Sequence, residues 1–339
     1  MTKFTRVEVI NSMYDLGLVP IFYQEDLEVA KSIVNACADG GARVMEFTNR
    51  RDSAYQIFSK LVKHLAVERP DVILGAGSVL DPATAALYIN SGANFVVGPV
   101  FDRGVAEVCN RRKIAYSPGC GSASEISQAE AFGVELVRIS PGAHIGGPSF
   151  IKAIVGPMPW TSMMPTCGVE ASRESIHEWI QAGAACLGMG SKLITKDVLS
   201  GGDWAGLKTR VEKCLWFVKE ARGESLFAGV EHIGLCPKRG QETREVANWY
   251  AETFGFKITE ENGSLFVWSS EPGFIEIMKQ LDQDMAHVAI RVHNFDLACE
   301  ALRAKGFMLD DSRIIGKTKL AYLKQRDPIG NRVHVICRN

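Results

Sequence analysis

The segment Leu136-Val137-Arg138-Ile139-Ser140-Pro141 decides how the first two-thirds of this chain can be interpreted. Its apolar residues, closed by a proline, predict a short buried β-strand. The strand carries one strong base, Arg138, into the interior of the predicted sheet. Because arginine stays protonated in proteins, a buried Arg138 needs an anionic partner nearby.

Seven more apolar runs flank this segment and alternate with amphipathic stretches, a pattern typical of βαβ units and parallel sheets. Eight units of roughly 20 to 25 residues predict an α/β fold, the (β/α)8 TIM barrel. An open doubly wound sheet is the alternative, but no GxGxxG motif follows the first run. The predicted strands are 18–23, 43–49, 72–78, 95–100, 115–119, 136–142, 162–168 and 185–192. Asp26, Asp81 and Ser172 are predicted to begin helices.

Composition excludes several classes of partner. The chain has 339 residues, 38 basic and 39 acidic, with a net charge of −1 and no basic cluster, so we expect no nucleic-acid partner. The sequence shows no signal peptide and no long apolar run, so we expect a cytoplasmic protein without a membrane partner. The nine cysteines are scattered without a CxxC pair, which predicts core thiols rather than disulfides.

Polar residues at predicted strand ends are the candidates for chemistry, since barrels place their sites where strands enter the following loops. Glu46 and Arg138 stand out, because two ionised groups inside a barrel cost several kcal/mol unless they are matched. The other candidates are Thr48, Arg50, Ser78, Pro99, Thr166, Cys167 and Ser191.

The order of several motifs resembles the 2-keto-3-deoxy-6-phosphogluconate (KDPG) and 4-hydroxy-2-oxoglutarate (KHG) aldolase family over about residues 5 to 222. The motifs are the segment from Gly41 to Thr48 (GARVMEFT), GAGSVL at 75–80, GA at 92–93 with GP at 98–99, GP at 156–157, PTCG at 165–168 and GMGS at 188–191.

This resemblance implies a site for a 2-keto acid or a 2-keto-3-deoxy sugar acid. By resemblance, Glu46 is the general acid/base, and Arg50 and Ser78 contact the keto-acid carboxylate. Thr166 belongs to the same expected substrate site, and the loops at Cys167-Gly168 and Gly190-Ser191 are expected to hold a phosphate. Backbone N–H groups in glycine-rich turns suit such an anion.

Arg138 stands where the resemblance implies the lysine that forms a Schiff base. An arginine cannot form that imine, because it does not lose its proton. It can bind a carboxylate or an enolate without a covalent bond. Alternatively, Arg138 pairs with Glu46 in a barrel without activity. Lys152 and Lys192 are the nearby lysines that could replace the missing amine.

A second domain follows residues 1–223 after a predicted linker at 224–229 and occupies residues 230–339. Its two halves repeat: HIGL at 232–235 matches HVAI at 287–290, and each half continues with a helix and alternating strands. The repetition predicts a smaller α+β domain of paired βαβββ modules.

Each half also carries two residues of metal-ligand type, at separations of 44 and 47 residues: His232 with Glu276, and His287 with His334. Strand alternation can bring one inward side chain from each of four equivalent strands together. Three histidines and one glutamate suit a divalent metal with open positions, so we expect Zn, Mn, Fe or Ni there and no nucleotide cofactor.

This second domain resembles the vicinal oxygen chelate superfamily, which includes glyoxalases and extradiol dioxygenases. Two hypotheses follow. The first is an aldolase-like lyase fused to a metal-dependent domain. The second is a silent barrel that binds a sugar acid and serves as scaffold or sensor for that domain. By resemblance, we also expect a homo-oligomer, trimer-based through the barrel.

Overall fold

The computed structural model describes residues 3–261, 263–269, 273–279, 286–316 and 318–338. The chain divides into two compact units, Met1–Gly223 and Glu224–Asn339. No helix in the described part of the chain is long and apolar enough to cross a membrane.

The first unit alternates strands and helices, and every strand pairing within it is parallel. Its strands are β1 Leu18–Phe22, β2 Val44–Thr48, β3 Ile73–Gly77, β4 Phe95–Val97, β5 Ala115–Ser117, β6 Gly119–Cys120, β7 Val137–Ile139, β8 Met163–Pro165 and β9 Leu187–Met189. Its α-helices are α1 Arg6–Leu16, α2 Leu27–Asp39, α3 Ala54–Glu68, α4 Pro82–Asn90, α5 Arg103–Arg112, α6 Ala123–Ala131, α7 Pro148–Val155, α8 Arg173–Gln181, α9 Lys196–Gly201 and α10 Trp204–Ala221.

These strands form a curled parallel sheet in two parts. One part has the order β5-β4-β3-β2-β1-β9, and the other has the order β6-β7-β8. The N–H of Ala185 donates to the carbonyl of Met163 at 2.9 Å, next to the edge where β8 meets β9. The α/β class is therefore confirmed, and each of the eight predicted segments contains a strand.

Local sequence signals explain where the helices begin. Asp26 and Asp81 accept hydrogen bonds from backbone N–H groups in the first turns of α2 and α4. Ser172 accepts one in the first turn of α8. Side-chain oxygens at these positions satisfy N–H groups that have no partner within the helix. The three predicted helix starts are confirmed.

The N-terminal helix fills one end of the curled sheet. Val9, Ile10 and Met13 of α1 belong to a buried cluster with strand residues such as Val19 and Ile73. This apolar cluster occupies the interior of the sheet near the strand beginnings. Polar side chains are therefore left to the carboxyl ends of the strands, where the site described below lies.

The second unit is built on one mixed sheet of eight strands, in the order β11-β12-β13-β10-β14-β17-β16-β15. Helices α11 and α12 contribute to its two apolar clusters. The strands are β10 Phe227–Leu235, β11 Lys257–Glu261, β12 Ser264–Trp268, β13 Phe274–Ile277, β14 His287–Val292, β15 Arg313–Ile315, β16 Thr318–Tyr322 and β17 Arg332–Arg338; the helices are α11 Thr243–Phe254 and α12 Phe295–Ala304.

The start of the second unit differs from the sequence prediction, whereas the state of the cysteines agrees with it. Strand β10 begins at Phe227, inside the stretch 224–229 that the sequence predicts as linker. Apolar Phe227 and Leu226 pack on the cluster beneath α12, which explains the earlier start. All nine cysteines are free thiols, and seven of them are buried, as expected for core residues.

Candidate active site and candidate metal centre

A buried ion pair lies at the centre of the first unit. Arg138 on β7 donates from Nη1 to Oε1 and Oε2 of Glu46 on β2, at 3.1 and 3.3 Å. Arg138 Nε donates to Oγ1 of Thr166, just after β8, at 2.9 Å. Glu46 is 0% exposed and Arg138 is 8% exposed. The carboxylate and the hydroxyl together match a cation that the interior would otherwise destabilise.

Glycines on neighbouring strands make room for this network. A Cβ at Gly77, at the end of β3, would overlap the carboxylate of Glu46. A Cβ at Gly188 on β9 would overlap the methyl group of Thr166. Both glycines therefore permit functional side chains to lie flat against the adjacent strand.

A cavity of about 750 Å³ opens above Arg138. Of the predicted site residues, the structure brings eight to its wall: Thr48, Arg50, Arg138, Thr166, Cys167, Gly168, Gly190 and Ser191. The described lining does not include Glu46 or Ser78. Glu46 is fully buried behind Arg138, so in this arrangement the carboxylate contacts the guanidinium rather than the cavity.

The loop after β8 has unusual backbone geometry. Cys167 has a left-handed backbone with φ of 63°, and Gly168 follows with φ of 113°. A left-handed conformation is rare for a residue with a side chain, and it is the conformation that glycine adopts readily. Cys167 is exposed and lines the cavity, at the loop where the sequence predicts a phosphate site.

The cavity wall contains residues that the sequence did not single out. Tyr23 follows β1 and Arg51 follows Arg50, and both line the cavity. Arg51 is next to Arg50, a predicted anion-binding residue, and this adjacency is the sequence signal that could have identified Arg51. Lys192, which the sequence did suggest as a possible amine, also lines the cavity, and its Nζ lies 2.9 Å from Oε1 of Glu170.

Four ligand-type side chains come together in the second unit, all from one chain. One ring nitrogen from each of His232, His287 and His334 lies within 4.8 Å of the other two. The Nε2 atoms of His232 and His287 are 3.1 Å apart, and Oε2 of Glu276 is 3.6 Å from each. The prediction from repeat spacing therefore selected four residues that do converge.

The strand register explains this convergence. His334 on β17 pairs with Ala289 on β14, which in turn pairs with His232 on β10. In the neighbouring row, Glu276 on β13 pairs with Gly234 on β10, which pairs with His287. A Cβ at Gly234 would overlap the His287 imidazole. Small residues thus alternate with the ligand-type residues and leave space between them.

Burial keeps two of these imidazoles neutral. It lowers the pKa of His232 to about 4, with His287 acting in the same direction. Burial likewise lowers the pKa of His334 to about 3, with His287 and His232 adding to the effect. Burial acts to raise the pKa of Glu276, but hydrogen bonds with His287 and Ser264 outweigh it and leave that pKa lowered. At neutral pH, the contact between His232 and Glu276 is therefore not an ion pair.

The donor atoms of this cluster fit a metal ion. Nδ1 and Nε2 of His334 and Nδ1 of His232 are buried without a hydrogen-bond partner. Neutral imidazole nitrogens and one carboxylate are suitable donors for a divalent transition metal. A cation would satisfy lone pairs that the protein leaves without a donor.

Residues 9–211 match the family described as KDPG and KHG aldolase. The chain belongs to this aldolase family. The match lies within the first unit and includes the network of Glu46, Arg138 and Thr166. The chain is therefore an aldolase-like lyase, and the family acts on small keto acids of the sugar-acid type.

Individual relatives agree with this membership. The 2-dehydro-3-deoxy-phosphogluconate aldolase of Pseudoalteromonas atlantica is 32% identical over 205 residues, which cover 60% of this chain and 92% of the relative. The KHG/KDPG aldolase of Escherichia coli K12 is 29% identical and covers 55% of this chain and 85% of its own. A crystal structure of KDPG aldolase from Legionella pneumophila has a TM-score of 0.55 and 25% identity, covering 62% of this chain and 98% of its own.

Replacing Glu46 with glutamine should destabilise the first unit by about 3 to 5 kcal/mol, because Arg138 would remain buried without a counter-charge. Hydrogen exchange of peptides from β2 and β7 measures the free energy of opening. The double variant E46L/R138M should recover most of the loss, since it removes both charges. The control is E170Q, which breaks the half-exposed pair with Lys192 and should cost less than about 1 kcal/mol. Equal losses for E46Q and E170Q would contradict the prediction.

Acidification should destabilise the metal-free second unit. Unfolded histidine has a pKa of about 6.5, while His232 and His334 titrate near 4 and 3 in the fold. The unfolded state therefore binds more protons below pH 6.5, and the stability present above that pH is lost as pH falls toward 3.

We expect a loss on the order of 6 kcal/mol between pH 7 and 4 with chelator present, about half from each of His232 and His334. Protection factors of β10 and β17 peptides measure it. H334Q removes one titrating group and should flatten the pH dependence. A slope identical to that of the parent protein would show that His334 does not contribute.

Proposed function

We propose that the first unit is a carbon–carbon lyase for a 2-keto acid or 2-keto-3-deoxy sugar acid that works without a lysine Schiff base at Arg138. The observation that carries this proposal is the placement of Arg138 in the cavity wall, fixed from behind by Glu46 and Thr166. A fixed guanidinium facing a cavity is suited to an anionic oxygen. We also infer that the curled sheet closes as a (β/α)8 barrel.

Covalent chemistry needs an amine that can lose its proton. The Legionella relative was solved with pyruvate captured as a covalent carbinolamine. Arginine cannot form such an adduct at ordinary pH. Among the described residues that line the cavity, Lys192 is the one lysine, and it contacts Glu170. Lys152 lies on α7 and is not part of the described lining.

Noncovalent cleavage requires a group that stabilises the negative charge developing on the C2 oxygen of the substrate. A base takes the proton of the C4 hydroxyl, and the electron pair of that O–H bond forms the C4=O bond of the aldehyde product. The C3–C4 bond breaks, and its electron pair forms the C2=C3 bond while the C2 oxygen becomes an enolate. Protonation of C3 then gives the 2-keto acid product. Fixed cationic donors stabilise developing charge of this kind. Arg138 is the proposed donor. Glu46 positions it, and the role of Glu46 as acid/base remains a prediction.

The cationic wall suggests how the rest of the substrate binds. Arg50 and Arg51 line the same cavity as Arg138, so a substrate carboxylate has arginine forks available there. Ser191 and the glycines of the last loops remain the predicted phosphate site. Ser78 remains a predicted carboxylate contact, although it lies outside the described lining.

We further propose that the second unit is a vicinal-oxygen-chelate-like domain of paired modules that binds one divalent metal through His232, Glu276, His287 and His334. Zn, Mn, Fe or Ni each accept such donors. A bound metal would act there as a Lewis acid toward substrate oxygens. A trimer-based homo-oligomer stays a prediction for the whole chain.

Pyruvate release tests the lyase proposal. The protein should release pyruvate from KDPG or KHG, detected with lactate dehydrogenase and NADH, but should give no mass adduct when borohydride is added with pyruvate. R138M should lower the rate about 100-fold, because it removes the proposed enolate donor. R103M, an exposed arginine on α5, is the matched control and should retain full activity.

R138K completes this experiment, because it introduces an amine at the position occupied by Arg138. We expect borohydride to trap pyruvate on this variant at residue 138. A trapped adduct on the parent protein would contradict the noncovalent mechanism, and mapping its mass would identify the lysine responsible.

Substitution of Gly234 tests the metal proposal. The parent protein should bind about one transition-metal ion per chain. G234A should lower that affinity at least about 10-fold, since the new methyl group displaces the His287 ring. G201A is the control, because no neighbour lies within 4 Å of the added methyl group. Mass spectrometry measures the metal content of each variant. Equal metal content in G234A and G201A would argue against these ligands.

A further inference from the structure

We propose that Arg332 is the anion-recognising residue of the four-residue cluster in the second unit, and that this cluster therefore takes a ligand with a carboxylate group. The proposal rests on the metal site proposed above and adds the chemical class of its ligand. Tyr322 is the residue that positions Arg332.

The strand register places both residues beside the cluster. Arg332 on β17 is directly opposite His287 on β14. Tyr322 on β16 is directly opposite His334 on β17. Side chains of directly opposed residues lie on the same face of a sheet, about 5 Å apart at Cβ. Arg332 and Tyr322 therefore flank the outer side of the face that carries the histidines.

Ring contacts continue from the cluster to the guanidinium. The centroid of the Tyr322 ring is 4.6 Å from that of His334 and 6.2 Å from that of His287. Cζ of Arg332 lies 4.4 Å from the centroid of the Tyr322 ring. A cation over an aromatic face is held by the ring quadrupole, which restricts where it can move. Tyr322 thus keeps the positive charge near the histidines.

Charge balance indicates an anionic ligand. A divalent ion bound by three neutral imidazoles and one carboxylate would retain one positive charge, and the guanidinium of Arg332 lies beside the cluster. A carboxylate can place one oxygen at an open position of the ion and offer the other to an arginine N–H group. A guanidinium has five N–H donors, so one edge can serve the ligand while another is engaged elsewhere.

Two other arginines on this face contact a buried carboxylate. Arg291 and Arg338 both contact the buried Glu231, at 3.7 and 2.8 Å. That carboxylate offsets their charge within the protein. Arg291 lies on the same face of β14 as His287, four residues further along the strand. It therefore provides a control for substitution of Arg332.

Cobalt-loaded protein tests the proposal without an activity assay. Cobalt absorption is titrated with oxalate, a dicarboxylate, and with imidazole, a neutral ligand for the open position. In R332Q, the cobalt content and the imidazole affinity should be unchanged, whereas the oxalate affinity should fall about 10-fold or more. R291Q should bind oxalate as the parent protein does.

Variants of Tyr322 separate positioning from direct contact. Y322F keeps the aromatic face and should change oxalate affinity less than about 3-fold, whereas Y322A should approach the loss seen in R332Q. Oxalate binding by R332Q that equals the parent protein, or an equal loss of oxalate and imidazole, would overturn the proposal. Failure of the parent protein to bind cobalt would remove the metal centre and this proposal together. Cobalt binding with an indifferent R332Q would remove only this proposal.

Discussion

The buried contact between Arg138 and Glu46 is the interaction on which the site of the first unit depends. A guanidinium this deep in a curled sheet is tolerated only if an anion and further acceptors surround it. Glu46 supplies the charge and Thr166 supplies the remaining acceptor. The neighbouring strands have adapted to this requirement, because Gly77 leaves the space that the carboxylate fills. The ion pair thus determines residue choice on at least three strands.

The two units solve the same packing problem in the same way. A functional side chain that must lie across a neighbouring strand needs a position without a Cβ beneath it. Gly77 provides this for Glu46, and Gly234 provides it for His287. In both places the strand pattern would otherwise favour a bulky apolar residue. Glycine inside a strand lowers stability, so its presence beside these side chains indicates a close approach that the site requires.

Hydrophobic periodicity was sufficient to predict the parallel strands of the first unit, because buried strands must be apolar on both faces. It could not show that segment 115–119 divides into β5 and β6 at Pro118, which depends on a hydrogen bond the proline cannot donate. The four metal-ligand candidates could be predicted because repeats constrain equivalent positions. The proposed role of Arg332 could not be predicted, because it depends on the pairing of Arg332 with His287 on the opposite strand and on the ring of Tyr322. The separation of Glu46 from the cavity also escaped prediction, since it follows from the volume of the Arg138 side chain.

An arginine at the centre of the first site affects how the chemistry of that site can depend on pH. A lysine amine is reactive only in the fraction that has lost its proton, so burial and pH control its chemistry. A guanidinium keeps its charge throughout the physiological range, so its proposed contribution to binding an enolate would not vary with pH. Any pH dependence of catalysis in this unit must therefore originate in the groups that transfer protons. In the proposed mechanism, the fixed positive charge of Arg138 takes the place of a reactive nucleophile, and Glu46 would keep that charge oriented through its hydrogen bond with Nη1 of Arg138.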